Sequence, residues 1–126
     1  MVYNIAHFKL REFACPCCTR VEAAESLVCW LEVLRRAWGD SIHVNSGYRC
    51  LRNNANMGGS KNSRHLIGCA ADIRPNGKMD TEFMYLTHRI FSGIPGSEYV
   101  KYDTFLHVAV PREEVGKLWN GGVINN

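Results

Sequence analysis

The chain has 126 residues, of which 46% are hydrophobic, and its 15 Lys and Arg against 12 Asp and Glu give a net charge of +3. This length and hydrophobic content suit one domain with a real core, so we expect a single domain over residues 1–126. The small, scattered charge argues against nucleic-acid binding, which usually needs a clustered basic face. No apolar run reaches about 18 residues, so we expect no membrane span. The N-terminal residues also lack the basic and apolar regions of a secretion signal.

Three helices are predicted from apolar spacing and capping residues. Apolar residues recur at helical spacing over residues 25–38, and Gly39 ends this helix. A short helix is predicted over residues 52–57. Asp80 is a typical N-cap for a third helix, because it directly precedes a helical apolar pattern. The buried side of that helix carries Phe83, Leu86, Ile90 and Phe91.

The predicted strands lie between these helices without a regular βαβ rhythm. Alternating apolar and polar residues predict a strand over residues 42–45, and a run of small residues predicts another over 69–73. Residues 99–110 are predicted to form one or two further strands. This order predicts an α+β fold, with a small antiparallel sheet and helices packed on it.

The chain contains six cysteines: Cys15, Cys17, Cys18, Cys29, Cys50 and Cys69. In the absence of a secretion signal, a disulfide framework is the less favoured interpretation. We expect mostly reduced thiols, and Cys29 on an apolar helix face is most simply a small buried hydrophobe. Cys15 and Cys18 form a single C-x-x-C pair, whereas structural zinc sites usually offer two pairs. A second, closed metal site that also uses Cys50, or a redox pair, stays open as an alternative.

Three residues have the chemistry of a metal site. His65 and Asp72 are separated by seven positions, and His107 lies in a later apolar run. If segments 69–73 and 105–110 pair as neighbouring strands, Asp72 and His107 share one face of the sheet. Two imidazoles and a carboxylate suit Zn²⁺, and they leave its fourth tetrahedral position open for water, as in catalytic sites. Taken singly, a hydrogen-bonded aspartate would explain Asp72 equally well, and a core histidine would explain His107 better than a metal ligand does.

These residues belong to a longer pattern that resembles a known family. Residues 63–72 fit S-x-H-x-x-G-x-A-x-D, Ser-Gly-Tyr-Arg precedes them at 46–49, and Phe-Leu-His-Val follows at 105–108. The pattern resembles the M15 family of zinc D-Ala-D-Ala peptidases, and within it the short group common in phages and prophages. The resemblance covers nearly the whole chain, because residues 8–13 also resemble the opening of that group.

The resemblance implies a Hedgehog/DD-peptidase type of fold and zinc-dependent hydrolysis of peptide bonds in peptidoglycan stem peptides. The enzyme would be a D-Ala-D-Ala carboxypeptidase or an endopeptidase of the phage endolysin kind. By matching position, the resemblance implies that Arg49 binds substrate and stabilises the developing oxyanion, and that Ser63 contacts substrate. Tyr48 is included with the substrate-binding residues, although packing is its simpler role. The zinc ligands that it implies are His65, Asp72 and His107.

The general base is the point at which the chain departs from the family pattern. Well-known members have Glu or Asp three residues before the final His, where this chain has Thr104. The short phage-type relatives often have Asp two residues after it, where this chain has Ala109. Strand alternation from His107 would place Asp103 on the same face, so Asp103 is the first candidate base and Glu98 the second.

The missing acid supports an alternative from another functional class. The chain would then be a zinc-bearing but inactive module that binds the cell wall or a phage-particle partner. For the enzyme, the partner is a peptidoglycan stem peptide. We expect a monomer. Its localisation is left open: without a secretion signal, a protein made in the cytoplasm would need a phage-type release to reach the cell wall.

Overall fold

Helices and short strands alternate along residues 2–125, the part of the chain that this computed structural model describes. In chain order the elements are β1 (Val2–Tyr3), α1 (Glu25–Trp38), β2 (Ile42–Ser46), α2 (Leu51–Asn56), β3 (Ala70–Pro75), α3 (Thr81–Ser92), β4 (Glu98–Lys101), β5 (Leu106–Ala109) and β6 (Ile124–Asn125). Short 3-10 helices cover Leu10–Phe13, Arg64–Ile67 and Arg112–Glu114. Within residues 2–125 no helix is both long and apolar enough to cross a membrane.

The main sheet has four strands in the order β2-β3-β5-β4, and every neighbouring pair is antiparallel. β1 and β6 form a separate two-stranded sheet that brings the two ends of the described chain together. The predicted α+β class with a small antiparallel sheet is therefore confirmed. The predicted strand region 99–110 is divided into β4 and β5, because the chain turns back between them and Tyr102 N–H donates to the Phe105 carbonyl at 3.0 Å.

One face of the main sheet forms the core with two of the helices. Ile73 of β3 and Leu106 of β5 are completely buried, and they belong to the same apolar cluster as side chains of α1 and α3. The helix residues of this cluster include Leu27, Leu31, Leu34, Phe83 and Phe91. Full burial of one such side chain stabilises the fold by about 1.5–3 kcal/mol. The opposite face of the sheet is consequently available for polar side chains.

The predicted ends of the two long helices are confirmed. α1 stops at Gly39, which adopts the left-handed conformation with φ +82° that glycine tolerates best. The Asp80 side chain caps α3 by accepting hydrogen bonds from the backbone N–H groups of Glu82 and Phe83, at 2.8 and 3.3 Å.

A β-bulge in β2 redirects one strand onto the polar face of the sheet. Val44 pairs with Ile73 on the core face, but the next pair is Ser46 with Asp72, so Asn45 is an extra residue. Without it, strict alternation would place Ser46 on the same side as Val44. The bulge therefore places Ser46 beside Asp72.

Candidate metal centre

Three side chains with metal-ligand chemistry converge on the polar face of the sheet. Asp72 on β3 pairs directly with His107 on β5, so both side chains point to the same side. His65 reaches them from the 3-10 helix that Ser63 caps and that Gly68 ends. His65 Nε2 is 3.1 Å and His107 Nδ1 is 3.0 Å from the same atom, Asp72 Oδ1. The structure thus brings together the three residues that the sequence selects.

The second nitrogen of each imidazole has a hydrogen-bond acceptor of its own. His65 Nδ1 lies 2.7 Å from the Gly47 carbonyl oxygen, and His107 Nε2 lies 2.9 Å from Glu98 Oε1. We assign a proton to each of these nitrogens, because neither acceptor can supply one. In the neutral rings, His65 Nε2 and His107 Nδ1 then direct lone pairs at an anionic oxygen. Such an arrangement requires a cation between the nitrogens and the oxygen. Protons on these nitrogens, which make both rings hydrogen-bond donors to Asp72, can supply it, and so can one metal ion, for which this outer hydrogen bonding is usual.

The spacing of these atoms fits a tetrahedral ion. Zinc bonds to nitrogen and oxygen at about 2.0–2.2 Å, which separates neighbouring ligand atoms by about 3.3–3.6 Å. The observed separations from Asp72 Oδ1 are 3.0 and 3.1 Å, and all three ligand atoms lie within 4.8 Å of one another. His65 and Asp72 are buried and His107 is half-buried, so the site is shielded on one side and reachable on the other.

The electrostatics of the centre also favour a cation. Burial by itself would raise the pKa of the Asp72 carboxyl, but hydrogen bonds from His107 and His65 outweigh it and hold that pKa well below its usual range. Burial likewise would lower the pKa of His107, but the carboxylates of Asp72 and Glu98 outweigh it and raise that pKa. Both shifts show that the two carboxylates favour positive charge on the side chains between them.

Arg49 fixes the remaining oxygen of Asp72. Its Nη2 donates to Asp72 Oδ2 at 2.9 Å and its Nε donates to Ser46 Oγ at 2.9 Å, while Nη1 lies 3.5 Å from Asn54 Oδ1. The guanidinium is buried, with 8% of the residue exposed. A guanidinium has five N–H groups, so donors remain for a ligand in the adjoining cavity.

A cavity of about 690 Å³ opens over the centre, within the usual size range of small-ligand pockets. Ser63 lines it, and the Ser63 hydroxyl also accepts a hydrogen bond from the His65 backbone N–H at 3.2 Å. Tyr102 and Phe105 form an apolar wall, with rings stacked 4.6 Å apart. Arg49 and two further arginines, Arg64 and Arg112, add positive charge to the lining.

The structure places two predicted site residues outside this cavity. Asp103 is exposed in the turn between β4 and β5, so the alternation that would align it with His107 does not extend to it. Tyr48 is buried away from the cavity, and the Arg20 guanidinium lies 5.7 Å above its ring. The strand-alternation argument for Asp103 as a base therefore does not hold, and the position of Tyr48 agrees with the packing role.

Glu98, the second candidate base in the sequence, lies at the cavity. It is directly opposite Ala109 in the β4–β5 register, so its side chain projects onto the face that holds His107. Apart from Asp72, it is the one carboxylate that lines the cavity within residues 2–125. The signal in the sequence was the missing acid at Ala109, but only the strand register shows which residue occupies the space beside it.

The α+β fold and the His–Asp–His site define a peptidase of the M15 type. Residues 6–109 match the family model described as Peptidase M15, and the chain belongs to this family. A zinc D-Ala-D-Ala carboxypeptidase from Streptomyces albus G is 38% identical over 84 residues, which cover 63% of this chain and 32% of that protein. The chain thus spans about a third of the length of this curated relative. The family resemblance seen in the motifs is confirmed.

Proposed function

We propose that the protein is a zinc-dependent peptidase that hydrolyses peptide bonds in peptidoglycan stem peptides. The observation that carries this proposal is the convergence of His65 Nε2, His107 Nδ1 and Asp72 Oδ1 beneath an open cavity. Membership of the M15 family supports the reaction, and the name of the Streptomyces relative supports a D-alanyl substrate. The choice between a carboxypeptidase and an endolysin-like endopeptidase depends on which stem bond is cleaved.

Three protein ligands leave room for a water molecule and a substrate oxygen. His65, Asp72 and His107 would hold the ion, and the Gly47 carbonyl, Glu98 and Arg49 keep the three side chains in place. When bound there, Zn²⁺ supplies Lewis acidity toward the scissile carbonyl and lowers the pKa of water.

Arg49 is positioned to bind an anionic oxygen of the substrate. Its contact with Asp72 holds the guanidinium plane in one orientation, and the residue lines the cavity. A buried, preorganised guanidinium stabilises negative charge that develops on a carbonyl oxygen, or it binds the terminal carboxylate of a stem peptide. Ser63, at the start of the 3-10 helix that carries His65, is proposed as a further substrate contact.

Glu98 is our proposed proton acceptor, in place of Asp103. Its carboxylate lines the cavity, contacts His107 and is 37% exposed, whereas Asp103 faces solvent elsewhere. Glu98 would then have two roles, because its carboxylate orients His107 and can also accept a proton from water. Catalytic hydrogen bonds often reach their final geometry only with substrate bound.

The experiment compares Glu98→Gln with Asp103→Asn as a matched control. The side-chain amide oxygen of Glu98→Gln can still accept the His107 N–H bond, so zinc should stay bound while turnover falls by about 10²–10⁴-fold. Asp103→Asn should hydrolyse like the wild type. Purified protein is loaded with zinc and given stem peptides with D-Ala-D-Ala, L-Ala-D-Glu and cross-bridge bonds, and products are identified by mass spectrometry. Full activity of Glu98→Gln would reduce Glu98 to a residue that positions His107.

One observation favours a second candidate function. Within residues 2–125, both carboxylates that line the cavity are already hydrogen-bonded to imidazole nitrogens. The protein would then be a zinc-bearing module that binds cell wall or a phage-particle partner without cleaving it. Zinc-loaded wild type that binds peptidoglycan sacculi but releases no peptide from any of these substrates would establish this function and reject the peptidase.

A further inference from the structure

Four cysteine side chains meet at a point away from the His–Asp–His centre: Cys15, Cys17, Cys18 and Cys50. We propose that this thiol cluster binds a second Zn²⁺ in a closed, structural site. Four thiolates fill all tetrahedral positions of zinc and leave none for water, which distinguishes such a site from a catalytic one.

The distances between the sulfur atoms are those of a metal site. The Cys15 Sγ atom lies 3.7 Å from both Cys17 Sγ and Cys50 Sγ, and the last two are 3.1 Å apart. All four Sγ atoms lie within 4.8 Å of one another. Zinc–sulfur bonds of about 2.3 Å in a tetrahedron separate the sulfurs by about 3.8 Å. Small movements of two exposed side chains, those of Cys17 and Cys18, would complete this geometry.

The backbone around the cluster is arranged to hold thiolates. A tight turn brings residues 15–18 together, with the Thr19 N–H bonded to the Cys15 carbonyl at 2.8 Å. Thr19 has φ +62°, a conformation that few non-glycine residues adopt and that a bound ion would help to hold. The Asn53 N–H points at Cys50 Sγ at 3.4 Å.

The cluster is a better fit to a metal than to a disulfide. All six cysteines are free thiols, and the shortest separation, 3.1 Å, exceeds the disulfide bond length of about 2.05 Å. A single disulfide would also leave two thiols of the cluster unused at the same point. Cys29 and Cys69 lie outside the cluster, so the grouping does not follow from cysteine abundance alone.

A metal here would support the loop that organises the catalytic centre. Cys50 directly follows Arg49, and Gly47 supplies the carbonyl that holds His65. The Tyr48 N–H donates to the Phe13 carbonyl at 2.8 Å, so the loop already rests on the chain just before Cys15. Joining Cys15 to Cys50 through zinc would fix this contact at both ends.

Metal counting on three variants tests the proposal. Protein made in zinc-supplemented medium and purified with a reductant is analysed by native mass spectrometry and elemental analysis. Wild type should carry two zinc ions per chain, and His65→Ala should carry one. Cys17→Ser/Cys50→Ser should also carry one, whereas the matched control Cys29→Ser should carry two. X-ray absorption of His65→Ala should show four sulfur neighbours at about 2.3 Å.

The absorption measurement keeps the test decisive if the double cysteine variant does not fold, because His65→Ala retains the intact cluster. A nitrogen or oxygen shell in that variant, or a wild type with one zinc bound only by nitrogen and oxygen, would overturn the proposal. In a separate sample, alkylated at lysis and denatured without reductant, a disulfide among the four cysteines, seen as two alkyl groups fewer than six free thiols would take, would also overturn it. None of these outcomes depends on whether the protein cleaves peptidoglycan.

Discussion

Arg49 shows how much a single side chain contributes to this centre. Its guanidinium group donates hydrogen bonds to both Asp72 and Ser46. A lysine would keep the charge but could not make both bonds in this geometry. We predict that Arg49→Lys lowers zinc affinity by about 10–100-fold, the usual effect of losing a partner of a metal ligand. With zinc saturating, kcat/KM for a stem peptide should fall by about 10²–10³. Competition with a chromogenic chelator and steady-state kinetics measure the two effects.

Arg52→Lys is the control for this prediction, because Arg52 is exposed on α2 close to Arg49 in the chain. It should leave both zinc affinity and kcat/KM unchanged. Wild-type zinc affinity in Arg49→Lys would show that the contact with Asp72 does not position the ligand.

At the scale of residues, the sequence identifies ligands better than it identifies their supporting groups. His65, Asp72 and His107 could be found because spacing and strand alternation both apply to them. Asp103 could not be judged in the same way, since the turn before Leu106 ends the alternation. The position of Glu98 beside His107 depends on the register between β4 and β5. The amino-acid sequence of the two strands does not specify that register.

Among the elements, α1 is joined to the N-terminal segment by a buried carboxylate. Glu32 has no exposed surface, and it accepts hydrogen bonds from the His7 backbone N–H at 3.0 Å and Arg36 Nε at 2.8 Å. Its second contact with His7 joins Oε2 to the ring Nδ1 at 2.6 Å. Burial would raise the pKa of Glu32, but the bonds from His7 and Arg36 outweigh it and lower that pKa.

We predict that Glu32→Gln lowers the free energy of unfolding by about 1–3 kcal/mol near neutral pH, because a charged acceptor is lost from a buried site. Since the folded pKa is lowered, the contribution of Glu32 is complete above the ordinary Glu value of about 4.3 and is lost as pH falls through the folded pKa. Urea unfolding of wild type and variant should therefore show a difference that is constant above about pH 6 and shrinks below about pH 4.

Glu25→Gln is the matched control on the same helix, because Glu25 is only half-buried in the first turn. Its effect should stay within about 0.5 kcal/mol. A difference for Glu32→Gln that grows on acidification would mean that the carboxylate opposes folding.

The elements themselves divide into those with local signals and those without. The apolar stripe and Gly39 specify α1, and the Asp80 cap specifies the start of α3, so both could be predicted from a few neighbouring residues. The bulge at Asn45 has no such signal, because it depends on how β2 pairs with β3. The bulge also places Ser46 beside Asp72 and Arg49. This part of the site therefore depends on a feature that cannot be predicted from the sequence.

At the scale of the whole molecule, two groups of metal-directed side chains each connect distant parts of the chain. The first joins the 3-10 helix at His65 to strands β3 and β5 through Asp72 and His107. The thiol cluster joins the N-terminal turn to the loop before α2. A composition with 46% hydrophobic residues predicts a core but not these cross-links. The strand order β2-β3-β5-β4 creates the first and the packing of Phe13 against Gly47 creates the second.

Metal removal should therefore destabilise the entire fold in two separable amounts. An ion that binds only the folded state at about 100 times its Kd adds about 2.7 kcal/mol. For a chain of this size, loss of that amount should lower Tm by about 10 °C. We predict that a chelator lowers the Tm of wild type by about twice as much as that of His65→Ala or Cys17→Ser/Cys50→Ser, as measured by calorimetry.

Restored zinc should recover the Tm, whereas Mg²⁺ should not, because it prefers oxygen ligands. A wild-type Tm that stays constant while elemental analysis shows both ions removed would separate metal binding from stability and contradict the prediction.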